Sequence, residues 1–350
     1  MNTATTLRGL LLIGCSLSAA AAAADKSGQL RAQAAGRALL GAPAPRPVLK
    51  TIDGDSIDLG SLYGKKAVYL KFWATWCVPC RQQMPHFQHV YESAGSDLAV
   101  IAIDVGFNDS IEAVRSLRQK LGLTMPIVFD DGSLGAAFHL RVTPTHIVIG
   151  RDGRIRYVGH LADAKLDAAL TAARAPDSAG PPATAMSLDD PPPLTVGDPL
   201  PKEALRTLNG QRFDLRRNPA PQTFTVLVFL SPWCESYLAT SRPEAAANCR
   251  SARTQFSQLS ADPRIRWLGI ASGLWANDED LRQYRKDDKV TIPLTLDASG
   301  KAFRMFRVNN VPTIFIADGG GRIIRRIEGD ALKDTDALRN AIERAGESRR

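Results

Sequence analysis

Short, nearly continuous apolar runs alternate along this chain with longer stretches of mixed apolar and polar residues. Residues 66–73 are β-branched and aromatic, which predicts a buried strand leading into a helix that starts near Cys77. Residues 98–104 predict a second strand. A helix follows from Ser110, its expected N-cap, to Gly122 at its C-terminal stop. A short strand is expected at 126–130, a small helix near 133–139 and a strand over Thr145–Ile149. Asp152-Gly153 is a hairpin signal, with a strand at 154–158 beyond it and a last helix over 164–174. Strands alternating with helices and closing on a hairpin predict an α/β unit with a mixed central sheet flanked by helices.

The pattern occurs twice. Gly41-Ala-Pro-Ala-Pro echoes Gly197-Asp-Pro-Leu-Pro, and Leu49-Lys-Thr-Ile-Asp-Gly echoes Leu205-Arg-Thr-Leu-Asn-Gly. Val68-Tyr-Leu-Lys-Phe-Trp precedes Trp76-Cys77, as Thr225-Val-Leu-Val-Phe-Leu precedes Trp233-Cys234. Val142-Thr-Pro-Thr-His-Ile-Val-Ile matches Asn310-Val-Pro-Thr-Ile-Phe-Ile. So long a period means two homologous domains rather than a solenoid. Gly319-Gly320-Gly321 joins strand to strand and opens no helix, so it is a turn and not a phosphate loop. The expected division is a first domain over 41–174, a Pro/Ala-rich linker over 175–193 and a second domain over 194–346, with 25–40 a flexible tether.

Composition agrees with this picture. At roughly 150 residues per domain, 350 residues suit two domains. Apolar residues at 44% and charged residues at 23% exclude wholesale disorder, collagen and a coiled coil. The net charge of +8 would allow an acidic partner, nucleic acid or anionic lipid. The N-terminus narrows that choice. Residues 1–24 carry Arg8, then an apolar run to Ala24 too short to span a bilayer, then polar Asp25. That is the shape of a secretory signal peptide cleaved near Ala24. Leu12-Ile13-Gly14-Cys15 is a competing lipoprotein signal, with lipid on Cys15. Either reading places the protein in the periplasm or cell envelope and argues against a nucleic-acid partner.

Besides Cys15, the cysteines are Cys77, Cys80, Cys234 and Cys249, too few for a disulfide scaffold. Cys77-Val-Pro-Cys80 has redox spacing, and no second CxxC exists to complete a zinc site. A cysteine opening a helix after a strand is stabilised as the thiolate by helix-end N–H groups. Cys80, one turn on, can attack the mixed disulfide formed at Cys77. Pro79 fixes the backbone between the two sulfurs, and Trp73 and Trp76 shield one side.

Lys71-Phe-Trp-Ala-Thr-Trp-Cys-Val-Pro-Cys80 resembles the thioredoxin fold, specifically the TlpA/ResA-like exported thiol–disulfide reductases. Gly41-Ala-Pro-Ala-Pro, Thr51-Ile-Asp-Gly, Leu62-Tyr-Gly-Lys-Lys-Ala and Met84-Pro85 are similar to that family too. The resemblance covers 41–173 well and 194–346 more weakly. It implies two tandem thioredoxin-like domains, Pro144 as a cis-proline facing the cysteines, and Thr143 offering backbone groups to an extended substrate. With Trp76 and Pro79 these make the expected substrate-binding set. Two positions depart from the family pattern. A buried acid is common where Lys71 stands, and a Glu where Gln83 stands. Lys71 is expected to snorkel to solvent, although a cation there could depress a thiol pKa. His86 and His89, one turn apart, are expected to be surface or packing residues rather than a metal pair.

In the second copy Tyr237 stands where the resolving cysteine would be, so CxxC turnover within that motif is excluded. Pro312 is the matching cis-proline candidate. Cys234 has three readings: a structural or regulatory disulfide with Cys249; a degenerate binding or dimerisation module; or a single-cysteine, peroxiredoxin-like redox site. For the last, Ser231 fits the motif and Leu227 does not. On one straight helix Cys234 and Cys249 would lie about 22 Å apart, too far to bond, but Arg242-Pro243 is expected to break that helix.

The expected function is an exported thiol–disulfide oxidoreductase needing no cofactor and no metal, since electrons travel as thiols. The resemblance implies reduction of protein disulfides, with cytochrome c or copper-site assembly factors as clients and a membrane thiol reductant of DsbD/CcdA type. An oxidase or isomerase, and a Cu(I)-binding chaperone lacking a convincing third ligand, are the alternatives.

Overall fold

The computed structural model describes residues 25–175, 192–216 and 223–347. The expected signal segment with Cys15 and most of the expected linker lie outside the described residues.

The N-terminal half is built on β3 (Ala67–Trp73), whose seven residues are all buried. Such a strand must be central. It pairs in parallel with β4 (Leu98–Asp104), from Ala67 opposite Leu98 to Trp73 opposite Asp104. On its other edge it pairs antiparallel with β6 (Thr145–Ile149), Phe72 opposite Thr145. β5 (Ile127–Phe129) and β7 (Ile155–Gly159) complete a mixed sheet of order β5-β4-β3-β6-β7. A short helix, α2 (Leu59–Leu62), precedes β3, and helices α3 (Val78–Gln82), α4 (Met84–Glu92), α5 (Ile111–Leu121), α6 (Ser133–Ala137) and α7 (Ala164–Arg174) flank the sheet. Local chemistry sets α5: the Ser110 hydroxyl accepts from Ala113 N, and Gly122 ends the helix at φ 64°.

The C-terminal half repeats this with β10 (Phe224–Leu230), β11 (Ile265–Ser272), β12 (Leu294–Asp297), β13 (Thr313–Ala317) and β14 (Ile323–Glu328), in the order β12-β11-β10-β13-β14. Its helices are α8 (Cys234–Tyr237), α9 (Pro243–Leu259), α10 (Asp278–Asp287), α11 (Lys301–Met305) and α12 (Ala337–Glu347). The register is the same: Phe229 faces Thr313 as Phe72 faces Thr145. Each half also carries a three-residue hairpin, β1 (Val48–Lys50) with β2 (Ser56–Asp58) and β8 (Ala204–Arg206) with β9 (Arg212–Asp214). These strands are too short to leave a readable period in the sequence.

One expectation is corrected at the start of the described chain. Residues 25–36 are a helix, α1, and not a tether. The segment is rich in good helix formers, and it has something to pack against. Ala32 is buried. Gln29 Oε1 accepts from His160 N at 2.6 Å and Leu161 N at 3.1 Å. A Cβ on Gly28 would meet the His160 ring at 2.5 Å, and one on Gly36 would meet Val158 at 2.4 Å. Arg31 reaches across to Asp280 at 2.8 Å, so α1 ties both halves.

The halves dock face to face about a pseudo-two-fold relation. Asn108 N donates to Asn309 O at 2.8 Å, and Trp275 N donates to Arg141 O at 2.7 Å. Each donor sits in the loop after its β4-type strand with a left-handed backbone, φ 49° at Asn108 and 56° at Trp275. Each acceptor lies three residues before a proline of the other half. Such reciprocity is the geometry of an isologous dimer, here within one chain. The core reflects it: Leu227, Phe229 and Phe315 join the apolar cluster of the N-terminal half, while Val226, Val228 and Ile314 on the opposite face build a second one.

Candidate active site

Cys77 is the N-cap of α3, with its φ/ψ extended and Pro79 in the first turn. Cys77 and Cys80 form a disulfide, Cα–Cα 5.2 Å. Cys80 N donates to Cys77 Sγ at 3.2 Å, a bond that favours negative charge on that sulfur once it is reduced. The Thr143–Pro144 peptide is cis, as is Val311–Pro312. Trp76 Nε1 donates to Phe107 O at 2.7 Å, which fixes the indole beside the cysteine.

Beneath the pair lies a polar network inside the protein. Lys71 is fully buried, and the solvent-reaching side chain expected from the sequence is corrected. It sits in the middle strand of the sheet, where no path to water is within the reach of its four methylenes. Its Nζ lies 3.4 Å from Cys80 O and 5.4 Å from the Phe87 ring centroid. Burial lowers its pKa to about 7, so it is an amine that can hold or release a proton near neutrality. Across the sheet from Lys71 stands His146. His146 Nε2 donates to Gln83 Oε1 at 2.8 Å, which leaves Nδ1 to accept from Tyr69 OH at 2.7 Å. Burial first, then the Lys71 charge, keeps this imidazole neutral. Gln83 Nε2 in turn donates to His160 O at 3.3 Å, and His160 Nδ1 donates to Pro144 O at 2.7 Å. A glutamate at 83 would have no N–H to give His160. The network thus runs from β3 to the carbonyl of the cis-proline.

The network has no counterpart in the other half, where Val228 and Ile314 take the stations of Lys71 and His146. His86 pairs with Asp167 at 3.0 Å, and His89 is exposed.

The C-terminal half covers the site. Cys77 is only 1% exposed, and Cys80, Thr143 and Trp76 are buried. Trp76 and Trp233 pack with ring centroids 5.2 Å apart. Tyr237 OH accepts from Val78 N at 3.3 Å. Trp275 Nε1 donates to Thr143 Oγ1 at 3.3 Å, and Val311 N donates to Asn108 Oδ1 at 2.7 Å. Arg242 reaches Asp109 Oδ1 and Thr75 Oγ1, each at 2.6 Å. Each half therefore lays backbone or side-chain groups on the segment before the other's cis-proline. Beside the interface a cleft of about 650 Å³ is lined in part by Phe107, Asp130, His139, Arg141, Asp297 and Arg304. From solvent, the exposed part of the motif is Val78.

Sequence reasoning missed His146, His160, Asn108, Arg242 and Trp275. His146 directly follows Thr143-Pro144-Thr145, which was a usable signal. The others carry none, because their roles arise only through packing.

The AhpC/TSA family model matches residues 40–158. The thioredoxin-like protein YneN of Bacillus subtilis is 34% identical over 133 residues, 37% of this chain and 78% of that protein. The chain belongs to the thioredoxin-like proteins. The ResA thiol–disulfide oxidoreductase of Halalkalibacterium halodurans is 37% identical over 110 residues, 31% of this chain and 61% of its own. That of Bacillus subtilis is 33% identical over 117 residues, 33% of this chain and 64% of its own. This chain thus spans just under two thirds of either ResA protein. A thiol:disulfide interchange protein from Chlorobium tepidum TLS is 28% identical with TM-score 0.35, covering 38% of this chain and 96% of its own. As a thioredoxin-like protein, the chain has a paired-thiol site in the region that the family model matches, with a second half docked upon it.

Proposed function

We propose that this oxidoreductase reduces disulfides of exported proteins through Cys77 and Cys80. The observation that carries the reading is the Cys77–Cys80 bridge at the head of α3, with Cys80 N on Cys77 Sγ. In the reduced protein, the Cys77 thiolate attacks one sulfur of the client disulfide. The client S–S bond breaks, and its other sulfur leaves as a thiolate that takes a proton. Cys80 then attacks Cys77 Sγ, the mixed disulfide breaks and the second client thiol departs. Two electrons pass to the client, and Cys77–Cys80 is left oxidised. Lys71, placed 3.4 Å from the Cys80 carbonyl, is the base available to take the Cys80 proton. Trp76, Pro79, Thr143 and Pro144 frame the client segment.

Client binding displaces the C-terminal half, since that half now occupies the face around Cys77. Likeness to ResA supports the reducing direction, cytochrome c or copper-site assembly clients, a DsbD/CcdA-type membrane reductant and a place in the cell envelope. Among the described residues, no helix is long and apolar enough to cross a membrane.

A redox titration of the mature protein in defined thiol/disulfide buffers tests this. A couple near or below about −200 mV, lost in Cys80→Ser, supports the reductase. One well above about −150 mV overturns it in favour of oxidation or isomerisation. Cys80→Ser should also hold clients as mixed disulfides on Cys77.

A further inference from the structure

Cys234 stands at the station of Cys77. Both lie four residues beyond the end of a central strand, after a tryptophan whose Nε1 donates to a loop carbonyl at 2.7 Å, Phe107 O in one half and Leu274 O in the other. The half lacks a cysteine at 237, yet Cys234 is bonded to Cys249, Cα–Cα 6.3 Å. A break between α8 and α9 folds Cys249 back under Cys234. Tyr237 points away from this place, with its hydroxyl on Val78 N and its ring against Trp76 and Trp233.

We propose that Cys234 and Cys249 form a second thiol–disulfide centre, in which α9 supplies the sulfur that Tyr237 cannot.

Three features prepare this pair for its reduced form. Cys249 Sγ lies 3.6 Å from Val311 O, and Cys234 Sγ lies 3.8 Å from Ala245 O. Each carbonyl can accept an S–H that exists only after reduction. A cavity of about 10 Å³ is lined by Ser231, Glu235, Cys249, Tyr284 and Pro312. Reduction spreads two bonded sulfurs to van der Waals contact, and a close-packed interior has no room for that unless a void adjoins them. The Ser231 hydroxyl is buried on that cavity and has no hydrogen-bond partner. An orphan buried hydroxyl is costly, and a thiol or thiolate at Cys249 would satisfy it. A bridge serving only as a staple needs none of these.

The exchange runs with a dithiol protein or small dithiol. Its thiolate attacks Cys249 Sγ, because Cys249 is the less buried residue of the pair, 8% exposed against 0% for Cys234. The Cys234–Cys249 bond breaks, and Cys234 leaves as a thiolate and takes a proton. The partner's second thiol then attacks its own sulfur in the mixed disulfide. That bond breaks, and Cys249 departs and takes the second proton. The partner leaves as a disulfide, and the pair has gained two electrons. The reverse sequence oxidises a dithiol.

The test uses the full chain carrying Cys77→Ser and Cys80→Ser, equilibrated in dithiothreitol redox buffers, trapped with a maleimide and read by peptide mass. The expected result is a reversible two-thiol transition at Cys234 and Cys249 while the near-UV spectrum and cooperative melt are kept. Adding Ser231→Ala should lower the reduction equilibrium constant severalfold. A pair that stays oxidised in every buffer that leaves the chain folded, or whose reduction coincides with unfolding, overturns the proposal. An unchanged midpoint in Ser231→Ala overturns the role of the cavity. Because the first pair is absent from this variant, the outcome is independent of the reading given to Cys77 and Cys80.

Discussion

Arg242 of the C-terminal half places its guanidinium 2.6 Å from Asp109 Oδ1 of the N-terminal half, and the Asp109 carboxylate has no solvent exposure. Thr75 N and Oγ1 donate to the same carboxylate. The bond therefore joins the loop just before Cys77 to the break that precedes α9. Removing one partner of a buried ion pair leaves the other charge uncompensated. Arg242→Ala should weaken docking by about 1–3 kcal/mol, given that the arginine is partly solvated. Alkylation of reduced Cys77 should then quicken at least severalfold, with a larger radius of gyration in solution. Equal alkylation rates in both proteins would show that docking does not gate the cysteine.

Lys71 makes a separate prediction about pH. Its native pKa, about 7, lies below the ordinary 10.5. Between those values the unfolded chain binds a proton that the folded chain lacks, so stability rises with pH across that window. Below about pH 7 the full penalty remains. At about 1.4 kcal/mol per pKa unit, Lys71→Met should gain several kcal/mol at neutral pH. The gain should shrink as pH rises toward 10.5. The same variant should resolve mixed disulfides more slowly. Denaturant melts from neutral to alkaline pH check the first part, and identical stabilities at pH 7 would refute it.

Asp104 behaves in the opposite sense. Burial first and the neighbouring Asp109 charge second raise its pKa well above 3.8. Its Oδ1 accepts from Gly106 N at 2.9 Å, and a side-chain hydrogen bond with Asp109 also favours the protonated form. The folded chain holds this proton more tightly than the unfolded chain. Stability therefore falls as pH rises from the ordinary carboxylate range through the raised native pKa, and stays low above it. Asp104→Asn keeps the Gly106 bond and should raise Tm at neutral pH. The advantage should vanish below the ordinary carboxylate range. A lower Tm for the variant at neutral pH would show that the charge is needed.

Gly28 tests α1. A methyl there would enter the His160 ring space at 2.5 Å. Overpacking of this kind costs about 1–3 kcal/mol. Gly28→Ala should detach residues 25–36, seen as faster amide exchange over that helix. Unchanged exchange would mean that His160 can turn aside.

Much of the scaffold was legible because its signals are local. The seven-residue run at β3, Ser110 and Gly122 around α5, and the Asp152-Gly153 turn each act within a few positions. Cys77 and Cys80 were visible for the same reason: strand, cysteine pair and helix are contiguous. Lys71 was misjudged because hydropathy sends a lysine to water, whereas the centre of the sheet gives it no way out. Residues 25–36 were misjudged because an Ala/Gly-rich stretch is helical only when a surface receives it, here His160 and Val158.

The sequence alone determined two repeated α/β units, the strand–cysteine–helix junction in each, and the loss of a resolving cysteine at Tyr237. These follow from periodicity and spacing, which are properties of neighbours along the chain. The tertiary structure decided that Cys249 returns to Cys234, that Lys71 and His146 meet beneath Cys80, and that Trp233 and Tyr237 close over Trp76 and Val78. Those pairings depend on how two folded surfaces match in shape and hydrogen bonding, and such a match is written in no single stretch of residues.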